Sequence, residues 1–253
     1  MEPSDWDYRG LAAESYDLWF GEEPFFDQAF FAGRIRERGG TALEIACGTG
    51  RLLLPYLRDG LPVEGLDASR EMLDLCQRKA AAKSLAPVLH HQRMQEIALE
   101  RRYRTLFVPS CSFQILAHRE EAMEALRRFR AHLEPDGELL VSLYVPWRDM
   151  REGRRWRLRR SGLRPGDGAR VMIHEATQAD RVEQVMDWWL RLELYRDGRL
   201  EHSELREHRL RWYHVHEFAL MLEAAGYQQI ERTGYTGSAP RDPDSEWVVS
   251  ARA

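Results

Sequence analysis

The stretch Thr41-Ala42-Leu43-Glu44-Ile45-Ala46-Cys47-Gly48-Thr49-Gly50-Arg51 decides the fold. Leu43 and Ile45 alternate as the residues of a buried strand do, and the run then opens into a Gly-x-Gly turn. Gly48 and Gly50 remove side chains where backbone turns sharply and comes close to a ligand. Apolar spacing resumes at helical period from Arg51 to Leu57. The glycines therefore occupy a strand-to-helix junction, whose free N–H groups suit a negatively charged part of a ligand. The expectation is a cradle for a nucleotide-type cofactor.

Two cofactor classes use such a junction. A dinucleotide fingerprint needs a third glycine three residues after the second, for close helix–strand packing; here that position is Leu53. The acid Glu44 also stands before the glycines, where the dinucleotide pattern has no use for one. Asp67 ends the next apolar run, Pro62-Val63-Glu64-Gly65-Leu66, placed to accept hydrogen bonds from both hydroxyls of a ribose. Both classes share that feature, so it indicates an adenosine-containing ligand without choosing between them.

Glu44-Ile45-Ala46-Cys47-Gly48-Thr49-Gly50 resembles the first motif of the class I S-adenosylmethionine-dependent methyltransferases. Gly65-Leu66-Asp67-Ala68-Ser69-Arg70-Glu71-Met72-Leu73 is similar to the second, and Leu133-Glu134-Pro135-Asp136-Gly137-Glu138-Leu139-Leu140 to the turn that feeds the fifth strand. The likeness covers residues 8 to 146 and the closing strands. It implies an α/β, Rossmann-like, mostly parallel sheet with helices on both faces, and S-adenosylmethionine as cofactor, with no metal. In that family the backbone from Ala46 through Cys47 and Gly48 to Gly50 would hold the amino-acid end, flanked by Glu44 and Arg51. Asp67 would meet the ribose, and Ala68 with Met72 the adenine. Arg93 stands where the family often has an acid, leaving Met94 and Gln95 to reach the adenine. Ligands of such sheets lie across the carboxyl ends of the strands, which gathers Glu44, Asp67, Met94 and Ser110 around one crevice.

At 253 residues the chain suffices for one α/β domain, residues 1–253, and not for a second full one. A net charge of −4 gives no general attraction to nucleic acid or an anionic membrane, so a small-molecule acceptor is the expected partner, with a homodimer left open. Cys47, Cys76 and Cys111 are odd in number and lack ligand spacing, which argues against disulfides and zinc. The acidic start reads as no signal peptide, and no run approaches the length of a membrane span; a cytoplasmic protein is expected.

Residues 8–38 read as an N-terminal helical cap, broken around Gly21 to Pro24 and rich in aromatic residues. Ser15-Tyr16-Asp17-Leu18-Trp19 is similar to a patch that folds over the cofactor in small-molecule methyltransferases, which puts Tyr16 on the cofactor. Strands are expected at 41–46, 62–66, 87–91, 104–109 and 137–145, with a helix at 119–133 stopped by Pro135-Asp136-Gly137. Residues 147–213 read as an arginine-rich loop followed by an antiparallel lid with strands at 171–178, 182–196 and 204–213. In the second of these Val182, Met186, Trp188, Leu190, Leu192 and Leu194 share one face. The nine arginines between Arg148 and Arg170 read as a solvated, salt-bridged loop, with phosphate contact as the competing reading. A helix at 215–225 ended by Gly226, and strands at 228–235 and 246–252, complete the chain.

The Val108-Pro109-Ser110-Cys111-Ser112-Phe113 stretch lacks the Asn-Pro-Pro-aromatic pattern of nucleobase methylation. The lid is similar to that of small-molecule N- and O-methyltransferases. The expected function is methyl transfer to a small-molecule N or O acceptor. The alternatives are a non-catalytic cofactor-binding scaffold, an RNA methyltransferase using Arg154, Arg155, Arg159 and Arg160, and an NAD-dependent dehydrogenase. The acceptor pocket is expected between Tyr16–Trp19 and the lid, with Tyr144, Trp147 and His174 on its wall. His174 is the first candidate for proton acceptor, with Tyr16 as its neighbour.

Overall fold

The computed structural model describes residues 8–19, 23–150, 154–164, 166–236 and 246–253, and of Trp19 the backbone only. The expected break of the cap falls partly outside these residues. Before the break stands a short helix α1 (Gly10–Glu14) running into a 3-10 turn at Tyr16–Trp19, and after it stands α2 (Gln28–Arg38).

The alternation of apolar runs and helical patterns builds the central sheet. Strands β1 (Ala42–Ile45), β2 (Val63–Asp67), β3 (Leu89–His91), β4 (Tyr103–Val108) and β5 (Leu133–Leu143) pair in parallel, with α3 (Leu53–Arg58), α4 (Arg70–Ala82) and α5 (Arg119–Ala131) as crossovers. Helix α5 ends two residues earlier than its periodicity suggests. Leu133 already pairs with Tyr103, and the turn expected after the helix is absorbed inside β5, where Asp136 takes φ 59° and the register shifts.

At the far end of the chain the sheet gains β10 (Gln228–Thr233) and β11 (Trp247–Arg252), preceded by α6 (Val215–Ala224). The order is β10-β11-β5-β4-β1-β2-β3, with β11 reversed. Leu43 and Ile45 face a core built with Leu126 and Phe129 of α5 and Phe218 of α6. Ala42 faces the other core, with Phe31 of α2 and Leu54 of α3. Burying both faces is what turns these strands into near-continuous apolar runs.

The insertion between β5 and α6 is an antiparallel sheet of four strands: β6 (Arg157–Leu163), β7 (Arg170–Asp180), β8 (Val185–Arg196) and β9 (Arg199–Arg211). The arginine-rich segment, expected as loop, therefore contributes the edge strand β6. Its side chains are almost all exposed, so no apolar alternation marks it. Val182 lies before β8 rather than on its apolar face, and is 87% exposed in the turn that joins β7 to β8. The inner face of the lid buries Val171, Ile173, Leu190, Leu192 and Leu194 against Leu11 and Ala12 of α1. Among the described residues no helix is long and apolar enough to cross a membrane.

Candidate cofactor and acceptor site

The turn after β1 takes left-handed backbone at alternate residues, Ala46 (φ 58°), Gly48 (55°) and Gly50 (82°). Glycine is required at the last: a Cβ there would lie 2.6 Å from Cys76 Sγ and 2.8 Å from Leu54 Cγ. At Gly48 a Cβ would instead meet Met72 Cε at 3.3 Å and the Tyr16 ring at 3.7 Å, both on the wall of a cavity. Asp67 ties the two motifs together. One carboxylate oxygen accepts from Gly48 N–H and the other from Ser69 N–H, each at 2.8 Å. Ser69 caps α4 by accepting from Met72 N–H and donates to the Tyr8 carbonyl at 2.7 Å.

The N-terminal segment is fastened over this turn. Thr49 donates to Asp17 at 2.6 Å, Lys79 donates to the same carboxylate at 2.9 Å, and Gly10 N–H donates to Glu71 at 2.7 Å. Tyr16 packs edge-on against Tyr8, ring centroids 5.1 Å apart. Burial pushes the Tyr16 phenol well above its ordinary range, so at neutral pH it is a hydrogen-bond donor and not a base.

Beneath the turn, Arg51 forms a buried two-point ion pair with Asp27, both bonds at 2.6 Å, donates to Ser110 Oγ at 2.8 Å and lies over Phe25. Ser110 and Cys111, at the carboxyl end of β4, both take left-handed backbone (φ 55° and 56°), and Ser142 Oγ accepts from Cys111 N–H at 2.8 Å. Two successive residues in this sparsely populated geometry lie on the wall of a cavity at the end of the strand.

The cavity has a volume of about 530 Å³, within the range of small-molecule sites. Tyr16, Ala46, Gly48, Asp67, Ala68, Met72, Met94, Ser110, Tyr144 and Trp147, all expected at the site, line it together. Glu44, Cys47, Gly50, Arg51 and Gln95 do not. Glu44 and Cys47 are buried behind the turn, where burial raises both pKa values, and Cys47 Sγ packs against Gly65. With its amide oxygen turned toward Arg93, Gln95 accepts from that guanidinium at 3.1 Å. The Trp19 side chain lies outside the described residues.

His174 is on the opposite face of the lid from the cavity. Val171, Ile173 and Glu175 point inward, so strand alternation sends His174 outward, beside Arg191 and 3.7 Å from Glu193. Glu175 and Thr177 take the wall position expected of it. His214 caps α6, its backbone N–H donating to Glu217 at 3.3 Å.

Residues the sequence did not single out complete the cavity. Arg157 donates to Glu175 at 2.9 Å, and Thr177 donates to Asp149 at 2.7 Å. Glu246, just before β11, lines the cavity and accepts from Tyr235 at 2.8 Å. In the arginine-rich segment Arg157, Arg159 and Arg164 form ion pairs, while Arg154 lies over the Trp189 ring. Arg159 reaches Glu175 at 3.8 Å, and Arg164 spans Asp167 and Glu14 at 2.5 and 2.7 Å. Asp167 lies three residues from Arg164 in sequence, whereas Glu14 comes from α1 and Glu175 from β7, contacts that local sequence does not mark.

Residues 42–137 match the methyltransferase domain family. A dTDP-3-amino-3,6-dideoxy-alpha-D-glucopyranose N,N-dimethyltransferase of Streptomyces fradiae is 36% identical over 148 residues, 56% of this chain and 55% of that protein, so the chain spans about half the length of that relative. The CcbJ methyltransferase of Streptomyces caelestis superposes with a TM-score of 0.76 at 25% identity, covering 95% of each chain. Streptomyces venezuelae DesVI shares the fold, with a TM-score of 0.74 at 20% identity over 96% of this chain and 99% of that one. A seven-stranded sheet with one reversed strand, a cavity at its carboxyl edge and these likenesses agree: residues 42–137 form a methyltransferase domain, and the chain has the fold of the class I S-adenosylmethionine-dependent methyltransferases.

Proposed function

We propose that this protein transfers the methyl group of S-adenosylmethionine to an amine nitrogen of a small molecule, with an amino sugar as the favoured acceptor class. The carrying observation is that one cavity holds both halves of such a reaction. Gly48 of the glycine turn and Asp67 line it together with Tyr144, Trp147 and the lid residues Glu175 and Thr177. The acceptor class follows from the Streptomyces fradiae relative, whose name specifies an aminated sugar.

The residues present fit the cofactor. Gly48 leaves the space a Cβ would fill beside Met72 and Tyr16, and two backbone N–H groups fix the Asp67 carboxylate on the wall of the same cavity, where a ribose would meet it. The turn at Ala46 and Gly48 would hold the amino-acid end, and Ala68, Met72 and Met94 would border the adenine. The bound cofactor supplies an electrophilic methyl on a sulfonium. The chain's own work is to align the acceptor with it, exclude water and take up the released proton. Tyr16 and the lid cover the cavity; Tyr144 and Trp147 orient the acceptor.

The test is calorimetric binding of S-adenosylhomocysteine and of a nicotinamide dinucleotide, followed by methyl transfer to matched amine and hydroxyl sugars. Turnover of the amine only is the expected result. S-adenosylhomocysteine binding without turnover of any acceptor would leave the scaffold reading, and preference for the dinucleotide would leave the dehydrogenase one.

A further inference from the structure

Four carboxylates line the cavity, and three are already engaged. Both oxygens of Asp67 hold backbone N–H groups; Asp149 accepts from Thr177 and Arg157; Glu175 faces Arg157 and Arg159. The fourth is Glu246. Among the described residues its hydrogen-bond partners are neutral, the Tyr235 hydroxyl at 2.8 Å and the Cys111 thiol, with the charges of Asp27 and Arg51 acting on it without a hydrogen bond.

Its position comes from topology. Strand β11 runs antiparallel to β5 with Trp247 opposite Leu143, so Glu246 stands beside Tyr144 just where β5 ends. Cys111 leaves β4 on the neighbouring strand, and its contact with Glu246 brings the carboxylate to the carboxyl end of β4. Tyr235 steadies it from the segment after β10. Glu246 thus lines one cavity with Gly48 of the glycine turn and with Tyr144 and Trp147.

We infer that Glu246 is a catalytic residue: it anchors the acceptor amine and receives the proton that the amine loses on methylation. This rests on the methyl-transfer reading above. In balance, the nitrogen lone pair forms the new N–C bond as the C–S bond breaks with its electron pair left on sulfur. The resulting ammonium gives its N–H proton to the Glu246 carboxylate, which later releases it to water. Once methylated, an amine is still basic, and the anchor holds it for a second transfer. The groups facing Glu246 are Tyr235, Cys111, Asp27 and Arg51, and burial raises its pKa, as a proton acceptor for an amine requires.

The experiment compares wild type, Glu246→Gln, Glu246→Asp and Glu175→Gln, with a panel of amino sugars and simple secondary amines as acceptors and S-adenosylhomocysteine release as readout. Glu246→Gln is expected to lower kcat by about 10²-fold or more, with S-adenosylhomocysteine affinity unchanged. Glu246→Asp withdraws the carboxylate by one methylene, keeps the charge and is expected to lower kcat about tenfold. It decides the matter should the Gln variant lose cofactor-product binding. Glu175→Gln is expected to act mainly on KM. Wild-type kcat in either Glu246 variant, or a larger kcat loss in Glu175→Gln, overturns the role of Glu246 alone. No turnover by the wild type on any amine overturns the methyl-transfer reading and this inference with it.

Discussion

Replacing Asp27 by alanine leaves the Arg51 guanidinium in a site that is 8% exposed, where the carboxylate it pairs with is fully buried. Two bonds of 2.6 Å disappear; the Ser110 hydroxyl and Phe25 ring bring no negative charge, and Glu44, whose pKa burial raises, compensates only in part. Breaking a buried pair from one side costs about 3–5 kcal/mol, because the remaining charge stays desolvated. For a domain of this size each kcal/mol moves the melting temperature by about 2–4 °C, so Asp27→Ala is expected to lower Tm by roughly 6–20 °C. Exchanging both partners for apolar residues removes the stranded charge, so Asp27→Ala with Arg51→Met is expected to recover most of the loss. Urea titration of the two single variants and the double one supplies the coupling energy, expected to exceed about 2 kcal/mol. A destabilisation below about 1 kcal/mol in Asp27→Ala, or a double variant no better than the single, refutes the reasoning and returns Arg51 to the cofactor site.

Gly48→Ala places its Cβ against Met72 and Tyr16 in left-handed backbone, and is expected to weaken S-adenosylhomocysteine binding at least about tenfold by calorimetry. Gly50→Ala collides instead with Cys76 and Leu54 and is expected to show mainly as a lower Tm. His174→Ala, on the outer face of the lid, is expected to keep kcat within about twofold across pH 6 to 9; a pH-dependent loss would put the imidazole back into the chemistry. Burial, reinforced by Arg206, drops the His208 pKa from 6.5 to about 4. Above pH 6.5 the ring is neutral in folded and unfolded chains alike. Between pH 6.5 and 4 the unfolded chain takes up a proton that the folded one refuses, and stability falls by up to about 3 kcal/mol. His208→Leu is expected to flatten the drop in Tm between pH 7 and 5; an unchanged slope refutes this origin.

The central sheet was legible because its strands are buried on both faces, and burial writes itself into sequence as apolar runs cut by Gly and Asp. The lid strand β6 was not, because an exposed edge strand that carries Arg157 and Arg159 to the cavity has no apolar face to announce. His174 could have been placed correctly: if Val171 and Ile173 face the core, alternation by two sends His174 to the other side. Glu246 had no local signature, since what makes it a site residue is the antiparallel pairing of β11 with β5, a contact spanning about a hundred residues. The Arg51–Asp27 pair was hidden for the same reason. Arg51 follows the glycine turn as a ligand-binding residue could, and only the fold reveals the acid from before α2 that claims it.

The inner face of the lid is completed by Leu11 and Ala12, while Leu11 N–H donates to Glu204 of β9 at 2.5 Å. The lid core is thus shared by two pieces of chain separated by the whole parallel sheet. Anyone grafting a lid from one relative onto another to change acceptor preference would have to transplant residues 8–18 together with 157–211 as a single unit. A chimera that exchanged only the longer piece would mismatch the apolar surface under β7 and β8, and would expose its failure as insolubility before any change of substrate could be measured.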